Sequence, residues 1–253
     1  MLHISRHGDG PATPLLIAHG LFGSARNWGA IARALADRGP VLAVDMRNHG
    51  QSPHHPQHGY ADLAADLAEV VAAEAGQADI LGHSMGGKAA MTLALTRPQL
   101  VRRLIVADIA PVAYGHSQQG LIDAMRGLDR DGLASRTEAD RRLATAVADP
   151  GVRAFLLQSL DLKARPPRWR LNLAALAANM DAILGWPDTD AQFEGASLFL
   201  AGGASDYIHR DHRPAILARF PAARIARVPG AGHWLHADRP EAVAATVRAF
   251  LDA

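Results

Sequence analysis

The sequence predicts an α/β protein: a mostly parallel sheet with helices on both faces and a helical cap inserted after the run "VRRLIVADIAP". Three observations carry this. Short apolar runs that end in turn residues alternate with longer stretches whose apolar residues recur at helical spacing. The alternation stops between Pro111 and Ala196, where helical patterns follow one another without a strand. The side chains able to do chemistry each follow an apolar run, which places them together if parallel strand ends share one edge.

Taken in order, "MLHISRH" reads as an outlying strand and "PLLIAHG" as the first central one, followed by the helix "NWGAIARALADR". "PVLAVDMRNHG" is the next strand and "ADLAADLAEVVAAEAG" the next helix. "ADILGHSMGG" is a strand that turns into the helix "KAAMTLALTRPQL", and "VRRLIVADIAP" closes the first half of the sheet. The inserted stretch then reads as helices, among them "QQGLIDAMRGL", "EADRRLATAVA", "VRAFLLQSL" and "RWRLNLAALAANMDAIL", broken by Pro150, Pro166, Pro167 and Pro187. Helices without strands between them cannot extend a sheet, so residues 112–190 are read as a cap (lid) and residues 1–111 with 191–253 as the core. "ASLFLAGGASD", the helix "RPAILARF" and "ARIARVPGAGH" complete the sheet. No internal repeat or low-complexity linker interrupts it.

Composition agrees with one large core. The 253 residues are 49 % hydrophobic and 20 % charged, ordinary values for a globular chain. The net charge is +1, and only Lys88 and Lys163 among the 26 basic residues are lysines, with no dense basic run to release counterions from nucleic acid. With no cysteine, thiolate catalysis, disulfides and cysteine metal sites are excluded. The N-terminal stretch "MLHISRHGDGPATPLLIAHG" lacks the charged and apolar regions of an export signal, and no segment approaches the roughly 20 apolar residues of a membrane span. The expectation is a cytoplasmic protein.

The chemistry centres on "GHSMG", residues 82–86, a G-x-S-x-G between a strand and a helix. Gly82 and Gly86 remove side chains where strand and helix approach, which leaves the Ser84 hydroxyl exposed as a nucleophile. A serine needs a base, and His233 in "PGAGHWLH" follows the last strand; His236, three residues on, is the second candidate and falls in the following helix. His54, His55 and His58 in "SPHHPQHG" read as solvated loop residues, and His209 and His212 as a loop entering a helix. The base needs an acid to hold its tautomer. Asp206 lies after the penultimate strand, one residue beyond the usual position, which holds Ser205; Asp108 lies after the strand that follows the nucleophile helix. The bare sequence leaves both open. For the oxyanion, the amide of Met85 and an amide from "HGLFG", that of Leu21, are the expected donors.

With these residues assembled, the chain resembles the α/β-hydrolase superfamily over essentially its whole length. "DMRNHGQSP" is similar to the family's D-x-R-x-x-G-x-S segment. More narrowly, "HGLFGSARNW", "DMRNHGQSPH", "GHSMGGKAAM", "VADIAPVAY", "RWRLNLAAL" and "GAGHWLHADRPEAV" resemble YbfF-type bacterial serine esterases and their mitochondrial α/β-hydrolase-domain relatives. The resemblance implies a serine esterase acting on short acyl esters, with acyl-CoA thioesters also in view, and no metal or organic cofactor. It implies Asp108 as the acid, with Ser205 completing a tetrad, while Asp206 remains the rival. Lys88 belongs to the group's signature and reads as a solvated helix residue. "KARPPRWR", residues 163–170, reads as a solvated cap face that could alternatively meet CoA phosphates.

The expected reaction is acyl transfer to Ser84 and on to water. The partner is a small-molecule ester or thioester, not nucleic acid, and the oligomeric state stays open. Within the cap, Phe155, Leu156, Leu160, Leu173 and Met180, with Trp169 and Trp186, are read as walls of an acyl pocket or as the cap's own core. Trp169 and Trp186 are the two expected to touch substrate, together with Phe22 beside the oxyanion loop and Trp234 beside the base. The alternatives are a cofactor-free haloperoxidase or carbon–carbon hydrolase with the same residues, and a noncatalytic binding protein that keeps the fold.

Overall fold

The computed structural model describes residues 1–253. Strands β1 (His3–His7), β2 (Leu15–Ala18), β3 (Val41–Asp45), β4 (Ala78–His83) and β5 (Val101–Ala107) form the first half of the sheet. Between them run helices α1 (Gly29–Leu35), α2 (Tyr60–Glu74) and α3 (Met85–Thr96). An inserted segment follows, with α4 (Gln119–Gly127), α5 (Arg136–Leu143), α6 (Pro150–Leu157), a hairpin β6 (Leu160–Asp161) and β7 (Arg168–Trp169), then α7 (Leu173–Ala178) and α8 (Met180–Leu184). The chain re-enters the sheet at β8 (Ser197–Gly202) and ends with α9 (Arg213–Arg219), β9 (Ala223–Val228), α10 (Leu235–Asp238) and α11 (Pro240–Asp252).

The seven-stranded sheet has the order β1-β3-β2-β4-β5-β8-β9. Only β1 runs antiparallel, with His3 opposite Asp45; every other pair is parallel. Parallel pairing needs crossovers, and those crossovers are the helices, so both faces of the central strands are covered. β2 shows the consequence at single-residue period. Leu16 and Ala18 pack toward the α2 and α3 side, Leu15 and Ile17 toward the α1 and α11 side, and all four are buried. A strand with two buried faces reads as a continuous apolar run, which is why "PLLIA" shows no alternation.

Helix α3 is buried all round, from Met85 to Leu95. It is built mostly of Gly, Ala, Met and Leu because it is wedged between α2 and the sheet, and small side chains allow that approach.

The inserted segment differs from the expected run of helices in two places. It contains the β6–β7 hairpin, with Leu160 opposite Trp169. The stretch 168–184, expected as one helix, is split into β7, α7 and α8. Two asparagines divide it. Asn172 caps α7, its Oδ1 accepting from Ala175 N, and Asn179 ends α7 by turning its side-chain amide onto Ala175 O and Pro56 O. Side chains that bond the backbone locally compete with helix continuation. The backbone just before α7 is committed elsewhere: Gly50 N donates to Arg170 O and Asn172 N to Asn48 O, so residues 170–172 dock on the loop after β3.

Candidate active site

Ser84 sits on the turn between β4 and α3 at φ 52° and ψ −120°, a conformation that L side chains rarely adopt. The turn exists because its flanks have no side chains. A Cβ on Gly82 would run into the Gly86 carbonyl, and one on Gly86 into the carbonyls of Ala18 and His19. Strand and helix close up until backbone meets backbone, and Ser84 is left partly exposed at the strand edge.

His233, on the loop between β9 and α10, places Nε2 3.1 Å from Ser84 Oγ and Nδ1 2.8 Å from Asp108 Oδ2. With Nδ1–H donating to the carboxylate, Nε2 is left as the acceptor that faces the serine hydroxyl. Asp108 is fully buried just after β5, itself at φ 51°. Gly202 N donates to its Oδ1 at 2.8 Å and Ser205 Oγ donates to its Oδ2 at 2.5 Å, so three donors orient one carboxylate. Asp206 is solvent-exposed; the carboxylate that reaches His233 is that of Asp108.

Opposite this face, the loop after β2 brings Gly20 so close that a Cβ there would lie 3.1 Å from Ser84 Cβ. The N–H of Leu21, the next residue, donates to no acceptor within the protein. Met85 opens α3, where a first-turn amide has no intrahelical partner. Asp45, which begins "DMRNHGQSP", shapes this side by accepting from Ala25 N at 2.8 Å and Gln51 N at 2.9 Å.

Several residues behave differently from the sequence expectation. Lys88 is buried rather than solvated: it lies one turn after Ser84 on the helix wedged into the core, and its Nζ donates to Leu184 O at 2.9 Å and Gly185 O at 2.6 Å. The Tyr114 and Tyr60 rings stand 4.9 and 5.6 Å from the same nitrogen. Loss of hydration brings its pKa down to about 7, while the carbonyl ends of α8 and the ring faces favour the cation. His58 is likewise buried, not solvated. Its ring contacts the Asn48 side-chain amide at 3.1 Å and Met85 Sδ at 3.3 Å, and burial depresses its pKa to about 3. His54 and His55 are exposed as expected.

Of the expected substrate contacts, Phe22 and Trp234 line the cleft, as does Phe155, whose ring centroid is 5.1 Å from that of Trp234. Trp169 and Trp186 do not. Trp169 is turned by the β6–β7 hairpin into the interior of the inserted segment, where its Nε1 donates to Met125 O. Trp186 lies past α8 in a separate groove beside α2 and α3, near Ala61 and Thr92. Leu156, Leu160, Leu173 and Met180 are buried in the common core. In "KARPPRWR", Lys163, Arg165 and Arg168 are exposed, and Arg170 pairs with Asp161.

Among the other cleft residues, Tyr207 and His116 carried no recognised signal. The Tyr207 ring stacks on His233 with centroids 3.8 Å apart and planes 18° apart, and its hydroxyl meets His116 Nε2 at 2.6 Å. His236, the second candidate base, stacks on Trp28 at 4.4 Å and makes no bond to Ser84; burial depresses its pKa to about 3. His83, whose Nε2 contacts His233 O at 2.9 Å, is pushed well below the ordinary histidine value by burial. These residues lie in or beside recognised motifs, but stacking across the sheet edge has no signature along the chain.

The cleft has a volume of about 260 Å³. No helix of the molecule is long and apolar enough to cross a membrane.

The family described as "Alpha/beta hydrolase family" matches residues 15–246. The chain is 36 % identical to the esterase YbfF of Escherichia coli over 242 residues, covering 95 % of this chain and 93 % of the relative. It is 40 % identical to the sn-1-specific diacylglycerol lipase ABHD11 of Danio rerio over 253 residues, covering 96 % of this chain and 80 % of the relative. Among solved structures, a marine microorganism esterase superposes with a TM-score of 0.93 at 36 % identity, covering 98 % of both chains. A match of this extent, on a sheet whose strand edge gathers a serine, a histidine and an aspartate, places the chain in the alpha/beta hydrolase family as a serine hydrolase.

Proposed function

We propose that the protein is a carboxylesterase that hydrolyses short-chain acyl esters through an acyl-enzyme on Ser84. The observation that carries this is the continuous hydrogen-bonded line from Asp108 through His233 to Ser84, at 2.8 and 3.1 Å. His233 Nε2 takes the proton as Ser84 Oγ attacks the ester carbonyl carbon. The amides of Leu21 and Met85 receive the oxyanion, a contribution of the kind worth about 10²–10³-fold per donor. The tetrahedral adduct collapses, the C–O bond to the alcohol breaks, and His233 returns the proton to the leaving oxygen. Water then attacks the acyl-enzyme with His233 again as base, and the carboxylic acid departs. Asp108 holds the imidazole in the tautomer that accepts from serine, and Ser205 and Gly202 hold Asp108.

The cleft supports this substrate class. At about 260 Å³ it falls just below the usual range for small-molecule pockets, and Phe22, Phe155 and Trp234 make its walls largely apolar. That favours a short acyl ester over a long-chain lipid, whatever the larger relatives take. Acyl-CoA thioesters undergo the same chemistry; within the basic stretch Arg170 is occupied by Asp161, while Lys163, Arg165 and Arg168 are exposed.

Hydrolysis of p-nitrophenyl acetate, butyrate and octanoate by the protein and by Ser84→Ala tests the reading. The expected result is fastest turnover on acetate or butyrate and a loss on the order of 10⁶-fold in kcat for the variant. Equal rates in the two folded proteins would sink the acyl-enzyme.

A further inference from the structure

The loop that carries Leu21 does not owe its shape to local preference. Phe22 has φ 63°, in the left-handed region that a bulky side chain disfavours, so the turn persists only because its surroundings impose it. The constraints act on the Phe22 peptide groups from two directions. On one side, Phe22 N donates to His49 Nε2 at 3.1 Å. His49 is kept as an acceptor there because its Nδ1–H donates to Arg47 O at 2.9 Å, and burial depresses its pKa to about 3. On the other side, Ser159 Oγ donates to Phe22 O at 3.0 Å.

Ser159 comes from the inserted segment, 137 residues along the chain from Phe22, and is itself buried. It sits just before β6, and its carbonyl accepts from Arg170 N at 2.8 Å. The neighbouring residue Leu171 bridges His49, and Gly50 N donates to Arg170 O. One short stretch of the inserted segment therefore grips both His49 and the Phe22 carbonyl. The amide of Leu21 lies one peptide before the residue so held.

We propose that Ser159 and His49 are positioning residues for the oxyanion hole: through the Phe22 backbone they aim the Leu21 amide at Ser84, which makes the inserted cap a working part of the catalytic geometry. The proposal rests on the acyl-enzyme reading above and assigns no contact of either residue with substrate. A misplaced donor costs rate rather than ground-state binding, because the oxyanion exists only after attack.

The test compares Ser159→Ala, Ser159→Thr, His49→Leu and His49→Gln with the unaltered enzyme and with Ser84→Ala. Three quantities are read: kcat and KM on p-nitrophenyl butyrate, the inhibition constant of an alkyl trifluoromethyl ketone, and Tm. The ketone carbonyl is attacked by Ser84 Oγ, the serine proton passes to His233, and the resulting hemiketal oxyanion occupies the same hole. Ser159→Ala and His49→Leu are expected to lower kcat by about 10- to 100-fold with KM within about twofold, and to weaken the ketone by the same factor as kcat/KM. Ser159→Thr keeps the hydroxyl and His49→Gln keeps an acceptor at the reach of Nε2, so both should recover most of the loss. Folded Ser159→Ala and His49→Leu enzymes with kcat and ketone affinity within twofold of the original overturn the proposal. So does a fall in kcat that leaves ketone affinity unchanged. Activity that does not depend on Ser84 removes the acyl-enzyme reading itself, and the proposal with it.

Discussion

Asp108 and Asp206 stand 98 positions apart in the chain and were indistinguishable as acids from the bare sequence, yet their surroundings differ completely. Asp108 is fully buried and accepts from His233, Ser205 and Gly202; Asp206 is exposed. Asp108→Asn keeps the shape but reverses the donor and acceptor roles at Nδ1, and in a triad that substitution costs about 10⁴-fold in turnover. The same change at Asp206 should leave kcat within about twofold. Steady-state kinetics of the two variants on one ester checks the ranking, and a larger loss at Asp206 would contradict it. Lys88 shows the limit of residue-level reading: a lysine at a helical position looks solvated until the packing of its helix is known. α3 is buried all round, and the Lys88 ammonium is satisfied by the carbonyls that close α8.

At the scale of elements, the turn from β4 to α3 is the clearest case in which a local pattern specifies geometry. G-x-S-x-G was legible because both glycines meet backbone from a neighbouring element, an approach that leaves no room for a Cβ. Gly82→Ala should force strand and helix apart. Overpacking of this kind costs about 1–3 kcal/mol, and in a chain of this size each kcal/mol lowers Tm by roughly 2–4 °C. Calorimetry should show a drop of that order, with kcat falling further than stability because Ser84 shifts relative to His233. An unchanged Tm and kcat would mean that the turn is looser than its contacts indicate. The inserted segment was less legible. Its helical periodicity was visible, but the break at Asn172 and Asn179 depends on partners in the loop after β3, and the inward turn of Trp169 depends on the hairpin. The asparagines also cap locally on Ala175, but their partners Asn48 and Pro56 lie outside the segment, and Met125, which accepts from Trp169, lies 44 residues before it.

For the molecule as a whole, the distribution of neutral histidines has a thermodynamic consequence. His19, His49, His58, His83 and His236 are all buried, and desolvation lowers each pKa, to about 4 for His19, about 3 for His49, His58 and His236, and well below normal for His83. Their folded values lie below the unfolded value of about 6.5, so between those limits the unfolded chain binds more protons. Stability is therefore fully present above about pH 6.5 and is lost as pH falls toward 4 and 3, each differing proton contributing a slope of about 1.4 kcal/mol per pH unit. With five such groups the decline should be steep and should begin above the range in which carboxylates titrate. Tm measured from pH 7.5 to 4.5 should fall sharply below pH 6, with a slope equivalent to uptake of several protons. A flat profile down to pH 4.5 would contradict it.

Periodicity and local turn chemistry were enough to read the α/β class and the succession of the main strands along the chain, and they singled out the serine between its glycines and the late histidine. Those are short-range properties: an apolar run, a helical spacing or a close backbone approach leaves its mark within a few residues. The resemblance of the motifs pointed further, to Asp108 and Ser205. The choice between two aspartates, the burial of Lys88 and His58, the inward turn of Trp169 and the grip of Ser159 on Phe22 arise only when distant segments meet. Each is a contact across tens of residues or more, and only the packed sheet, with its strand ends on one edge, brings those residues together.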